Sequence, residues 1–444
     1  MFVFFVAHPS VQSFMAPADH KVLGLSATDK LPREPPTFAP GKYTINYVAC
    51  MVLLAPPIIV AAAFLYGVPL LWNTFIVALV AYFWNGFGIT VGYHRMFSHR
   101  AFTPNRYLSL VLSFAGAGAF QGSAKWWGRN HRIHHRYIDT DKDPYNAKRG
   151  FFYSHIGWML MNQDYELLGR IDISDFHNNK DIMFQHQYYF PLALLSGVVI
   201  PTLVCGLFWG DWVGGYIYAA LAKMVAVHHS TFCINSLAHT NFFGAKQNFS
   251  DHHTSHDSFW CALATMGEGY HNFHHEFAND YRNGIQWYHY DPSKWMIRLF
   301  EICGLAKNLV RTPNDVIARN SVNMKHKVHT RAIKTLEKRQ RALEIDVEEV
   351  WTWEDIKERV AQGQKIMVIG DAVVDIMRVV PTGSGYTHPN KNIVWYNAHP
   401  GGRKLLDAYI GKDATVAFTG AVYKHHEGAV NILPHLRVAT LKKE

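Results

Sequence analysis

Histidines in three short runs carry the strongest chemical signal in this chain. They are His94 and His99 in HRMFSH, His131, His134 and His135 in HRIHH, and His271, His274 and His275 in HNFHH. Neutral imidazole is the commonest protein metal ligand and suits iron, zinc and copper. In HxxHH the offsets of three and four bring all three rings to one face of a helix. The five-residue offset of HRMFSH rotates an ideal α-helix well off-face, which places that pair at a helix end or bend. One such run reads best as hydrogen-bonded polar side chains; three together favour metal.

The elements that must carry these runs are largely apolar. The chain has 444 residues, 49% of them hydrophobic, and the apolar residues concentrate before residue 240. Tyr43 to Tyr66 and Val68 to Tyr93 contain no charged residue, and each exceeds the ~20 residues needed to cross a bilayer. A short Gly-Val-Pro connector makes them a helical hairpin. Tyr188 to Trp209 and Trp212 to Leu237 form a second, turning at Gly210 and Asp211. Lys223, His228 and His229 in its last arm are costly in lipid and must face protein or water. Tyr107 to Phe120 is too short to span and reads as a buried or interfacial helix.

Two hairpins return every other segment to one side of the membrane. The connecting turns contain almost no Lys or Arg, so the positive-inside rule puts both termini and all three histidine runs in the cytosol. The net charge of +9 then suits anionic lipid and a phosphorylated substrate, and no nucleic-acid motif accompanies it. The cysteines, Cys50, Cys205, Cys233, Cys261 and Cys303, show no CxxC spacing and no disulfide framework. The N-terminal FVFF is too short for a signal-peptide core, which leaves targeting to the first span.

From Tyr43 to Trp295 the sequence resembles the membrane fatty acyl-CoA desaturases of the stearoyl-CoA Δ9 type. The resemblance rests on GYHRMFSHRAF, DTDKDPYNAKRGFFYSHIGW, NSLAH and GEGYHNFHHEFANDYRNGIQWYHYDPSKW. It implies an all-α membrane core of four transmembrane helices with a cytosolic helical cap around two iron atoms. The implied ligands are His94, His99, His131, His134, His135, His239, His271, His274 and His275, with Asn235 reaching one iron through water. Asp139, Asp141, Asp143 and Glu268 are candidates to orient the rings from behind. His155, His186, His228, His229, His252, His253, His256 and His289 fall outside the ligand positions. On the substrate side the resemblance implies that Arg129 meets coenzyme A phosphates and that Trp127 lines the acyl tunnel. Asn162 and Gln163 stand where many relatives have basic residues.

Met324 to Ile345 is basic with apolar residues at roughly helical spacing, and reads as a surface linker helix held near the membrane by charge. From Val347 the chain resembles cytochrome b5, through VWTWEDIKERVAQGQKIMVIGDAVVDI, HPGG and YIGKDATVAF. This implies an α+β domain binding haem b through His399 and His425, with His426 the fallback for the second. A tight Pro-Gly-Gly turn lets backbone approach a porphyrin edge. Met377 to Ala398 is an insertion relative to that family.

The expected organisation is therefore a cytosolic N-terminal segment (1–42), a transmembrane desaturase domain (43–310), a basic linker (311–346) and a cytochrome b5-like domain (347–444). The two resemblances imply an endoplasmic reticulum enzyme that desaturates palmitoyl- or stearoyl-CoA at carbon 9. It would use O2 and electrons from NADH-cytochrome b5 reductase. The b5 domain placed last, and His271 opening the third cluster, resemble the fungal Δ9 type rather than front-end desaturases. A desaturase of other regiospecificity, a lipid hydroxylase and a catalytically dead scaffold are the alternatives.

Overall fold

The computed structural model describes residues 44–164, 167–242, 244–343, 347–381, 392–420 and 425–443. The expected N-terminal segment and the middle of the insertion lie outside them. Contacts divide the chain between Val328 and His329 into two compact units.

In the first unit, four helices are long and apolar enough to cross a membrane: α1 (Tyr47–Leu65), α2 (Trp72–Ser98), α5 (Tyr189–Trp209) and α6 (Trp212–His239). Asn46 caps α1 by accepting from Ala49 N at 3.1 Å. The second hairpin turns where Gly210 adopts φ 74°, a left-handed conformation that glycine enters without steric cost. Asp211 then caps the start of α6 by accepting from Gly214 N at 2.8 Å.

The ionisable groups of α6 face protein, as their cost in lipid requires. Lys223 is buried and donates to Asn85 Oδ1 (2.6 Å) and Gly197 O (3.0 Å). His228 pairs with Ala119 O at 2.8 Å, and His229 with the ring of His155. The short segment resolves as α3 (Arg106–Ala117), buried along Leu108, Leu112 and Ala115 and exposed at Tyr107. Helices α4 (Ala124–Tyr137), α7 (His271–Glu276) and α8 (Pro292–Ile302) complete the part that carries the histidine runs. The basic helix α9 runs over Asn314–Leu343, starting ten residues before the expected linker helix. Its early turns are anchored by buried Ile317 and Met324 and by an Asn320–Glu276 hydrogen bond of 2.8 Å.

The second unit is built on a four-stranded sheet of β1 (Val350–Trp351), β6 (Arg437–Leu441), β3 (Ala372–Asp375) and β2 (Ile366–Ile369), in that spatial order. Strand alternation sorts its residues. Ile366, Val368 and Val373 pack with Ile356 of helix α10 (Trp353–Ala361), while Met367, Val374 and Ile376 face the opposite way. The ends of the insertion form an antiparallel pair, β4 (Val379–Pro381) with β5 (Asn392–Val394), so the loop composition conceals a strand pair.

Candidate metal centres and a histidine-paired cavity

The HRMFSH spacing is resolved by a change of helix type. From Gly88 to Ser98, α2 widens into a π-helix, and His99 N bonds to His94 O at 3.1 Å, an i to i+5 bond. That pattern brings residues five apart onto one side, and the two rings lie 4.9 Å apart. π-Helical turns are rare and concentrate at functional sites.

The nine candidate histidines converge in two groups. His94, His99, His131, His135 and His274 form one, and His134, His239, His271 and His275 the other; within each, the ligand atoms all lie within 4.8 Å of one another. Each HxxHH run feeds both. His131 and His135, one turn apart, serve the five-histidine group while His134 serves the other. His271 and His275 serve the four-histidine group while His274 crosses to the first. All nine present Nε2 inward, in pairs such as His99–His131 at 2.8 Å, His94–His274 at 2.9 Å, His239–His271 at 3.1 Å and His134–His275 at 3.3 Å.

Rear contacts set the tautomers. His94 Nδ1 lies 3.0 Å from Glu268 and His134 Nδ1 3.0 Å from Asp143. A carboxylate behind Nδ1 keeps the proton there and leaves a bare lone pair at Nε2. His131 Nδ1 meets the Tyr145 hydroxyl at 3.2 Å, and His239 Nδ1 meets Thr254 Oγ1 at 2.9 Å. Burial, then the neighbouring imidazoles, hold His99, His131, His135, His271, His274 and His275 well below the usual histidine range. Inward lone pairs of neutral rings at such distances repel unless a cation joins them, so this donor set fits a metal in each group.

Of the acids expected behind the rings, Asp143 and Glu268 contact ligand candidates directly, and Asp139 reaches His239 through Thr254. Asp141 instead faces Arg149 at 3.5 Å. Arg95, Tyr145 and Thr254 were not legible as site residues. Arg95, inside HRMFSH itself, is buried and bonds Glu268 (2.7 Å) and Asp291 (2.9 Å). Burial alone would raise Glu268; Arg95 and His94 hold it below the usual carboxylate range.

Trp127 stacks on His131 at 4.9 Å and donates its indole N–H to Gln121 at 3.3 Å. With Gln121, Trp126, Tyr145 and Asn235 it lines a cavity of about 30 Å³, the room of about one water. Asn235 sits one turn before His239 on α6. Arg129, half-buried on α4, is two positions from His131, an offset that turns it away from the ligand face. Asn162 donates to Thr44 Oγ1 (2.9 Å) and Gln163 to Pro144 O (3.4 Å).

In the second unit, the sheet face carrying Met367, Val374 and Ile376 lines an apolar cavity of about 740 Å³ with Leu405, Phe418 and Leu433. His399 and His425 face each other across it with ring centroids 6.1 Å apart. Two metal–imidazole bonds of about 2 Å each, plus half of each ring, make a separation close to this, so the pair fits one metal of a flat apolar cofactor. His425 Nδ1 bonds Phe418 O at 3.0 Å, which keeps its proton away from Nε2. At His399, Gly401 N–H donates to Nδ1 at 3.1 Å; ligation through Nε2 would require that bond to give way.

A membrane helical core with two histidine centres, joined to a small α+β domain with a histidine-paired cavity, defines the class. Residues 69–303, just over half of the chain, match the fatty acid desaturase family, and 394–442 match the cytochrome b5-like heme/steroid binding domain. The chain is 42% identical over 401 residues to a probable acyl-CoA desaturase of Schizosaccharomyces pombe (90% of this chain, 78% of the relative). It is 39% identical over 400 residues to acyl-CoA desaturase 1 of Saccharomyces cerevisiae (90% and 74%). It is 34% identical over 256 residues to the Delta(9)-fatty-acid desaturase fat-6 of Caenorhabditis elegans (57% and 75%). The chain belongs to the fatty acid desaturase family and carries a C-terminal cytochrome b5-like domain.

Proposed function

We propose that this protein is an acyl-CoA Δ9 desaturase that places a cis double bond in palmitoyl- or stearoyl-CoA. The observation that carries the reading is the convergence of nine inward Nε2 atoms from distant segments into two groups. Side chains cannot supply this chemistry: iron held there would, with O2, two electrons and two protons, take one hydrogen from each of two adjacent methylenes, giving the alkene and two waters.

The protein's own part is positional. His94, His99, His131, His135 and His274 would hold one iron, and His134, His239, His271 and His275 the other, with Asn235 adding a water-mediated contact. Glu268 and Asp143 keep the ring protons on Nδ1. Trp127, against His131, would border the acyl chain beside the metal. Arg129 would meet coenzyme A phosphates, for which its planar fork is suited. His399 and His425 would hold haem b, which supplies one-electron transfer from NADH-cytochrome b5 reductase. The proposed setting is the endoplasmic reticulum membrane, with both termini and both histidine centres on the cytosolic side.

The test is expression of the full chain in a yeast strain unable to make monounsaturated fatty acids, with gas chromatography of its lipids. Growth without supplement, with 16:1 and 18:1 unsaturated at carbon 9, is the expected result. A double bond at another carbon would overturn the regiochemistry, a hydroxylated product would favour the hydroxylase reading, and no product despite bound iron and haem would favour the scaffold.

A further inference from the structure

The two histidine centres are backed by unequal charge. Behind the five-histidine centre the carboxylate is Glu268, and the buried Arg95 guanidinium bonds it at 2.7 Å while also bonding Asp291 at 2.9 Å, so a cation offsets part of the charge there. Asn283 Nδ2 also donates to it, at 2.6 Å.

Behind the four-histidine centre the arrangement differs. Asp143 accepts from His134 Nδ1, and its other partners are the backbone N–H groups of Asp139 and Tyr145, both at 3.2 Å. Asp139 accepts from Thr254 twice, from the hydroxyl at 2.6 Å and from the backbone N–H at 2.7 Å. Among the described residues, neither Asp139 nor Asp143 has a Lys or Arg within ion-pair distance. Asp139 is also held at φ 63°, a left-handed conformation uncommon for residues other than glycine.

Thr254 Oγ1 sits between two groups that need opposite things from it. His239 Nδ1, at 2.9 Å, offers a proton when its Nε2 is bare, and Asp139 Oδ1 needs a donor. A hydroxyl is both acceptor and donor, so one Thr side chain satisfies both. Valine, of the same shape, would satisfy neither.

We infer that Thr254 is a positioning residue that relays the charge of Asp139 to His239, and that Asp139 and Asp143 together make the four-histidine centre the more electron-donating of the two. The inference rests on the two-metal reading above and deepens it by making the centres unequal. Outer groups of this kind are worth roughly 10- to 100-fold in metal affinity.

The experiment uses the full-length protein in detergent, stripped of metal and titrated with ⁵⁷Fe(II), followed by bound iron per chain and by Mössbauer spectra. The expected wild-type result is two bound irons with distinct spectra. Thr254→Val should weaken one iron about 10- to 100-fold and change only its spectrum, and Thr254→Ser should restore both. Asp143→Asn should affect that same iron. Thermal melting of the metal-free variants separates a folding failure from a metal effect, and the Thr254→Ser rescue keeps the test decisive if the valine variant misfolds. Unchanged affinities and spectra in Thr254→Val, or equal weakening of both irons, would overturn the relay. A wild-type chain that folds and binds no iron would overturn the two-metal reading itself, and the relay with it.

Discussion

The two histidine sites of this chain are built on opposite plans. In the membrane unit, ligands arrive from widely separated segments, the rings are mostly buried, and polar groups behind them set their tautomers. In the second unit, two half-exposed rings, His399 and His425, face a preformed apolar cavity of about 740 Å³. The first plan would make a metal part of the packing, because without a cation the inward lone pairs repel. The second would make a cofactor a guest, since apolar walls are satisfied by any flat hydrophobic ring and the histidines would supply only the bonds to its metal. Loss of ligand should therefore be felt through the whole core in one unit and stay local in the other.

The sharpest way to break that comparison is to remove one ligand from each. His271→Ala should abolish desaturated product and halve bound iron, and no added protein should restore activity. His399→Ala should abolish haem absorbance, yet separate cytochrome b5 supplied with its reductase should restore product. If both variants are rescued, or neither, the contrast fails. Smaller in effect, Asp143→Asn should lower iron affinity about 10- to 100-fold by loosening His134, measured by equilibrium dialysis, with haem content unchanged.

Acid provides a third comparison. Burial lowers His99, His131, His135, His271, His274 and His275 in the folded state. Their neutral forms contribute stability that is present above the ordinary histidine value near 6.5 and is lost as pH falls below it. The metal-free membrane unit should thus lose thermal stability steadily below about pH 6.5, and iron should delay the loss. In the second unit His399 is lowered, by burial and then by His425, but this ring is half-exposed, so the unit's melting should depend on pH much less. Parallel curves for the two units would contradict this. The smallest effect expected is at the capping box of α10, where Thr352 and Asp355 bond reciprocally. Thr352→Ala should cost about 1 kcal/mol in denaturant melts of the second unit, leaving iron binding untouched.

Much of this architecture was legible in the residues. Apolar runs longer than a bilayer crossing marked the four spans to within a few residues, since lipid tolerates little else there. The β4–β5 pair was not legible, because three-residue strands joined through Gly-, Pro- and Asn-rich sequence look like loop. The start of α9 was missed because Asn314 to Asn323 lacks the basic run that marked the rest of the helix. The π-helical widening at HRMFSH was half legible: the spacing demanded a departure from the α-helix, but only backbone geometry says of what kind.

For the site, the sequence by itself determined which residue types were available and which rings share a helix face, because those follow from local periodicity. Tertiary structure alone decided that each HxxHH run is divided between two centres, with His134 and His274 exchanged. It also decided that Arg95 pairs with Glu268 and that Thr254 stands between His239 and Asp139. These pairings join residues as far as 173 positions apart. Local periodicity cannot rank such encounters, because they depend on how buried polar groups find partners once the helices have packed.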